Sequence, residues 1–292
     1  MAKPRELRRR IRTVQSTRKI TKTMELVATS KLKRAQDKVI AARPYARALG
    51  EVMGDLYSPE LAERFPLLRQ PALPLRRVAL LLVTSNRGLC GAFNANLIRE
   101  ARRRLAELEG QGAQVDLHLV GKKGIGFFRF AKRAVASQRT DIGDKPTPEH
   151  AVELVAPLIA QFEARTHDAV EIVFAQYNSA VSTPPTTLRI LPVAPPRADG
   201  RKGGSSANYL LRPSAEAILE RLLPLYVRNQ VYRALVETAA AEHGARRAAM
   251  KSATDNAGEI LDILRRTYNR ARQALITQEL AEIVGGAEAL KG

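Results

Sequence analysis

A single cysteine, Cys90, excludes an internal disulfide and is consistent with a reducing compartment. Tryptophan is absent and aromatics make up only 5% of the 292 residues. Aliphatic side chains must therefore build the core, which suits helix-on-helix packing better than a ring-lined ligand pocket. No apolar run reaches the ~18 residues of a membrane span, and the basic N-terminus lacks the apolar stretch of a signal peptide. A soluble, cytoplasmic chain is expected. Acidic surplus is missing too: the net charge is +19. Residues 1–56 carry 15 Lys/Arg against 5 acids, residues 57–213 carry 22 against 14, and residues 214–292 carry 11 against 10. The excess points to a polyanion or an acidic protein surface as partner of the first two segments.

Proline is absent from Leu225 to Val284, and only Gly244 and Gly258 interrupt that span. Ser214 to Leu290 reads as one long helix. Sixty residues at 1.5 Å each rise roughly 90 Å, too long for one compact domain to enclose. Val227, Val231 and Leu235 form one apolar end; Ile260, Ile263, Leu264, Leu275, Leu280 and Val284 form the other. Between them, small residues from Ala239 to Gly258 would let a second helix approach closely.

Residues 4–56 also read as helical. An apolar stride runs through Leu7, Ile11 and Val14, breaks over Arg18–Lys22, and resumes through Met24, Val27, Leu32, Ala35, Val39 and Ala42. So narrow a stripe fits the seam of a two-stranded coil. Pro44 is expected to kink or end this helix near Arg43. Four prolines in 58–75 mark a linker. Then Val78–Thr84 reads as a strand buried on both faces, followed by a turn-rich loop, a helix over Ala95–Glu109, and strands at Val115–Val120 and Val135–Gln138. Thr147 caps a helix that has Pro148 at its first position, and strands at Val170–Gln176 and Thr186–Val193 complete the set. Alternating strands and helices imply a parallel, partly doubly wound sheet. The expected fold is α/β plus a long α-helical antiparallel coiled coil. The N- and C-terminal helices (1–57 and 214–292) pair, and a Rossmann-like α/β domain (76–195) is inserted between them. The segment 196–213 is read as a flexible linker.

Catalytic signatures are absent. Gly121, Gly124 and Gly126 follow a strand but lack dinucleotide or P-loop spacing, and read as a tight strand-to-helix turn. His118, His150, His167 and His243 have no metal-ligand spacing. Cys90 has no neighbouring base, and Asp141 and Asp144 belong to no catalytic pattern. No cofactor, metal or catalytic residue is expected. The basic runs Arg8–Arg12 and Lys31–Arg34 leave a basic coiled-coil nucleic-acid-binding protein as the alternative. They lack interleaved aromatics, however, and are spread around the helix.

Three motifs carry a family resemblance. Ile20–Lys31 with Arg43–Ala46, Thr84–Asn94, and Ile276–Ala289 resemble, in order, the signature segments of gamma subunits of F-type ATP synthases. The resemblance implies a central-stalk rotor that couples proton-driven rotation to ATP synthesis and has no catalysis of its own. It implies as partners the ring of alpha and beta subunits, the epsilon subunit and the c-ring, with no nucleic acid. It implies a peripheral position on the cytoplasmic face of the bacterial plasma membrane. Contact roles carry over to Met24, Arg272, Gln273, Thr277 and Glu279. The chloroplast form's regulatory cysteine pair is absent, so thiol control is not expected. Asn86 stands where many relatives carry Asp.

Overall fold

The structure, a computed structural model, describes residues 4–56, 64–180, 182–194 and 214–289. The expected loop at 196–213 and residues 58–63 of the expected linker lie outside the described residues. Among the described residues, helices α1 (Pro4–Leu56) and α5 (Ala215–Ala289) bracket five strands and three shorter helices. These are β1 (Arg77–Val83), α2 (Phe93–Gly110), β2 (Gln114–Val120), α3 (Lys122–Phe130), β3 (Ser137–Arg139), α4 (Pro148–Glu163), β4 (Ala169–Ala175) and β5 (Pro185–Leu191). Chain contacts separate two compact units: Met1–Ala28 with Arg246–Gly292, and Thr29–Ala245. The division falls inside both long helices.

In the larger unit the sheet order is β3-β2-β1-β4-β5. The first four strands are parallel, as the alternating pattern leads one to expect. β5 departs from that expectation and runs antiparallel to β4. The described residues between them include no helix to carry a crossover, so the chain turns straight back as a hairpin. One core layer joins α2 and α3 to one sheet face, together with Leu32, Ala35 and Val39 of α1 and Val236, Ala240 and Ala241 of α5. The opposite layer holds α4 and the first turns of α5, from Leu219 to Leu235. β1 is buried along nearly its whole length because both of its faces are covered.

Among the described residues three prolines sit inside helices, one of them Pro157 of α4. Pro44 does not end α1, which continues to Leu56, and Pro224 lies within α5. An interior proline costs about 3 kcal/mol. Burial of Val39, Leu49 and Met53 around Pro44, and of Leu219, Leu223 and Val227 around Pro224, offsets this at about 1.5–3 kcal/mol per side chain. Part of the expected linker is likewise packed. A 3₁₀ turn at Pro66–Leu68 buries Leu67 and Leu68 in the α4 layer, and the Arg69 guanidinium lies 5.9 Å from the Phe162 ring centroid.

In the smaller unit the two helices run antiparallel. Thr21 pairs with Thr254, while Arg18, one turn earlier, meets Gly258, one turn later. Leu7 and Ala28 on α1 are buried, as are Met250, Thr254, Ala257 and Leu261 on α5, at the alternating three- and four-residue spacing of a coiled-coil seam. One sequence expectation changes here. Val27 is 51% exposed and Ala28 takes the seam position instead. The apolar stride does break over Arg18–Lys22, where every residue but Thr21 is exposed; contact is kept there by the Thr21–Thr254 hydrogen bond and by the Arg18 guanidinium beside Gly258. Ile260, Ile263, Leu275, Leu280 and Val284 face outward rather than into the seam.

Candidate functional site

Ligands of open α/β sheets bind beyond the carboxyl ends of the strands, where the strand order switches direction. Here that point lies between β1 and β4. The glycine turn after β2 is beside it and starts α3. A phosphate loop would aim its first helical N–H groups at an anion. In this chain the Lys122 N–H donates to Asn86 Oδ1 (3.0 Å), Lys123 to the Ser85 carbonyl (3.2 Å) and Gly124 to Thr84 Oγ1 (2.9 Å). Gly121 has φ +97°, and a Cβ there would fall 2.1 Å from the Thr84 carbonyl oxygen. The turn is thus a strand-to-helix joint whose donors are already used. Asn86 completes it by donating to the carbonyls of Thr140 (2.9 Å) and Ile142 (3.0 Å), which an aspartate could not do.

The long helices themselves fill the crevice. After β4, the Tyr177 N–H donates to Glu237 Oε2 of α5 (3.0 Å), and the Ala175 N–H donates to Thr238 Oγ1 (3.3 Å). Gln36 of α1 bonds the Tyr177 hydroxyl, and Arg43 donates to the Tyr177 carbonyl at 3.1 Å. Glu237 is buried and is also held by Arg233 at 2.7 Å. Lys31 meets Asp144 at 2.5 Å, with buried His243 3.8 Å from the same carboxylate. Lys31 and burial act oppositely on Asp144; Lys31 dominates and holds its carboxyl below the usual range. What would be a ligand cleft in a nucleotide-binding sheet is therefore a joint to the two helices. Sequence reading missed this joint; the one available signal was a carboxylate, Glu237, among the apolar residues of α5.

The singled-out histidines and aspartates have structural partners. His150 completes the capping box of α4 with Thr147, His167 Nε2 lies 2.8 Å from Asp116, and His118 Nδ1 lies 2.7 Å from Ser137 Oγ. Burial pushes the His118 imidazole below its ordinary value, and His167 adds to the effect. Asp141 is held at about 2, chiefly by Arg139. Cys90 is buried, with the Asn94 amide 3.2 Å from its sulfur. Among the described residues no group of three or more His, Cys, Asp or Glu could hold a metal. No described helix is long and apolar enough to cross a membrane.

The contact residues implied by resemblance all fall in the coiled-coil unit. Met24 is half-buried beside the seam, whereas Arg272, Gln273, Thr277 and Glu279 are exposed. Gln273 and Thr277 are four residues apart and share a face, as do Arg272 and Glu279 at a spacing of seven. By the register of Thr21 with Thr254, Pro4 falls opposite about residue 271. The turns of α5 from Arg272 onward thus run past the described start of α1, and each residue from Arg272 to Ala287 is exposed.

Residues 3–290 match the family model described as ATP synthase. The chain is 65% identical over 292 residues to the ATP synthase gamma chain of Gemmatimonas aurantiaca, with both chains fully covered. It is 45% identical over 290 residues to that of Leptospira biflexa, covering 99% of this chain and 100% of the relative. Among solved structures, the central stalk and c-ring of Tetrahymena thermophila mitochondrial ATP synthase matches at TM-score 0.61 and 25% identity, covering 80% of this chain and 99% of that one. A chain of the Euglena gracilis mitochondrial enzyme, from a structure of its OSCP, F1 and c-ring, shares the fold at TM-score 0.67 and 21% identity, covering 98% and 94%. None of these relatives supports the nucleic-acid alternative. The chain belongs to the gamma-chain family of ATP synthases.

Proposed function

We propose that this chain is the central-stalk rotor of a membrane-associated, proton-driven ATP synthase. It couples c-ring rotation to ATP synthesis on neighbouring subunits and performs no chemical step. The coiled-coil unit turns inside a ring of alpha and beta subunits, while the α/β domain stands with the epsilon subunit on the c-ring. The assembly lies on the cytoplasmic face of a bacterial plasma membrane. The observation that carries this reading is the antiparallel pairing of α1 with the C-terminal half of α5, whose residues from Arg272 to Ala287 are exposed and run past the described start of α1.

A shaft must be stiff along its axis and must not lock into its sleeve. Stiffness comes from a continuous seam, since helices are held mainly by packing. Weak outer contacts come from exposed basic groups, each worth at most about 1 kcal/mol as a surface ion pair. Arg272 and Gln273, with Thr277 and Glu279, form a polar collar that engages a loop of a catalytic subunit, and Met24 touches the sleeve from α1. In the assembled enzyme, replacing Arg272 and Gln273 together by alanine weakens assembly or the coupling of proton movement to ATP hydrolysis. An intact complex with unchanged proton pumping per ATP would overturn the collar assignment.

A further inference from the structure

We propose that Asp144 is a positioning residue for the shaft. It pins both long helices where they leave the larger unit, and with Tyr177 it forms a two-point clamp that sets their angle to the sheet. Asp144 reaches both helices at once: its Oδ2 lies 2.5 Å from Lys31 Nζ on α1 and 3.8 Å from His243 Nε2 on α5. Lys31 and His243 each stand within one turn of the limits of that unit, Thr29 and Ala245. Tyr177 makes the second point, with Gln36 and Arg43 on α1 and Glu237 on α5. Gln36 is five residues beyond Lys31, and Glu237 is six before His243. At 1.5 Å per residue the two points stand about 8 Å apart along the helices.

The segment that carries Asp144 is itself fixed, as a pin must be. Asn86 donates to the carbonyls of Thr140 and Ile142, and the Ile142 side chain is buried in the α4 layer. Arg139 donates to Asp141 at 2.8 Å and to Glu153 of α4 at 2.6 Å. Apolar contacts of Leu32, Ala35, Val39, Val236 and Ala240 hold the helices against the sheet, but such contacts have no direction. Hydrogen bonds and short ion pairs do have one. Two directional points spaced along a helix resist tilt, which neither resists alone. Lys31 and Asp144 are each about one-third exposed, 36% and 35%. An ion pair so exposed adds little to stability, so its loss changes geometry and leaves the fold in place.

This role presupposes that the chain is a shaft, and two measurements separate the claims. In the isolated full-length chain, Asp144→Asn should let acetic anhydride modify Lys31 about threefold faster, read by mass spectrometry, because the ammonium group loses its carboxylate. In the purified complex the ring is fixed to a surface and a bead is attached to the α/β domain. The variant's angular variance at each pause should rise about twofold, as when one of two similar supports is removed, while ATP hydrolysis continues at the wild-type rate. Asp144→Glu keeps the charge, and the flexible Lys31 stem follows it, so both readings should return to wild type. Equal Lys31 reactivity in wild type and Asp144→Asn overturns the pin. So does an unchanged variance while the bead still turns, or a widened variance that Asp144→Glu does not restore. A wild-type bead that never turns overturns the shaft reading and this role with it, whatever the Lys31 result, so the two failures are told apart.

Discussion

The hydroxyls of Thr21 and Thr254 share a hydrogen bond at 2.8 Å across the seam of the coiled-coil unit, 233 residues apart in sequence. Thr254 is buried, and its Oγ1 also lies 2.8 Å from the Met250 carbonyl; Thr21 Oγ1 lies 3.1 Å from that of Arg18. Such a pair favours one register, since a slip of one residue would lose the bond across the seam and leave each hydroxyl only the carbonyl of its own helix. Thr254→Val should lower stability by about 1 kcal/mol, read as a shift in urea midpoint. The double variant with Thr21→Val should cost less than the sum of the single variants.

The two helices should move as one body. A disulfide between Thr21→Cys and Thr254→Cys, formed in the assembled complex, is expected to leave ATP hydrolysis within about twofold of the reduced form. The assay is turnover before and after reductant, with crosslinking scored on denaturing gels.

Two glycine-to-alanine changes should act with opposite signs. At Gly258 a Cβ meets only the flexible end of Arg18, at 3.7 Å, so alanine adds helix propensity worth up to about 1 kcal/mol. At Gly121 the positive φ and the Thr84 carbonyl leave no room, and alanine should destabilise the α/β domain by more than about 2 kcal/mol. Thermal melts of the two variants check both signs.

Acid should unfold the α/β domain through Glu171. This buried carboxylate receives Arg104 at 2.6 and 2.7 Å and Arg189 at 3.0 Å. Burial alone would raise its pKa, but the two arginines outweigh burial and hold it below the usual value. Its contribution is therefore complete above the unfolded glutamate value of about 4.3 and is lost as pH falls through the lower folded value. The urea midpoint should begin to fall below about pH 4.3 on this account. Arg104→Ala should cost about 3 kcal/mol at neutral pH and move the fall to higher pH.

Sequence pattern revealed what depends on neighbours in the chain. β1 was legible because a strand covered on both faces must be apolar throughout, and α4 because Thr147 and Pro148 mark a helix start. The pairing of the chain ends followed from a narrow apolar stripe on residues 4–56 and from a C-terminal helix too long for one domain, with a run of small residues along it. Contacts between distant residues left no local trace. Lys31 and Asp144, or Arg104 and Glu171, are ordinary charges until the fold brings them together. Pro44 and Pro224 obey burial rather than propensity, and β5 reverses because its connection is too short to cross over. The collar residues were legible only as motif letters, since an exposed polar face carries no pattern of its own.

The most direct measurement of the central claim is rotation. The ring of the purified complex is fixed to a surface, and a bead is attached to the α/β domain of this chain. With ATP supplied, the bead should turn continuously in one direction for as long as ATP is hydrolysed. A bead that stays still while ATP is consumed at the normal rate would contradict the account.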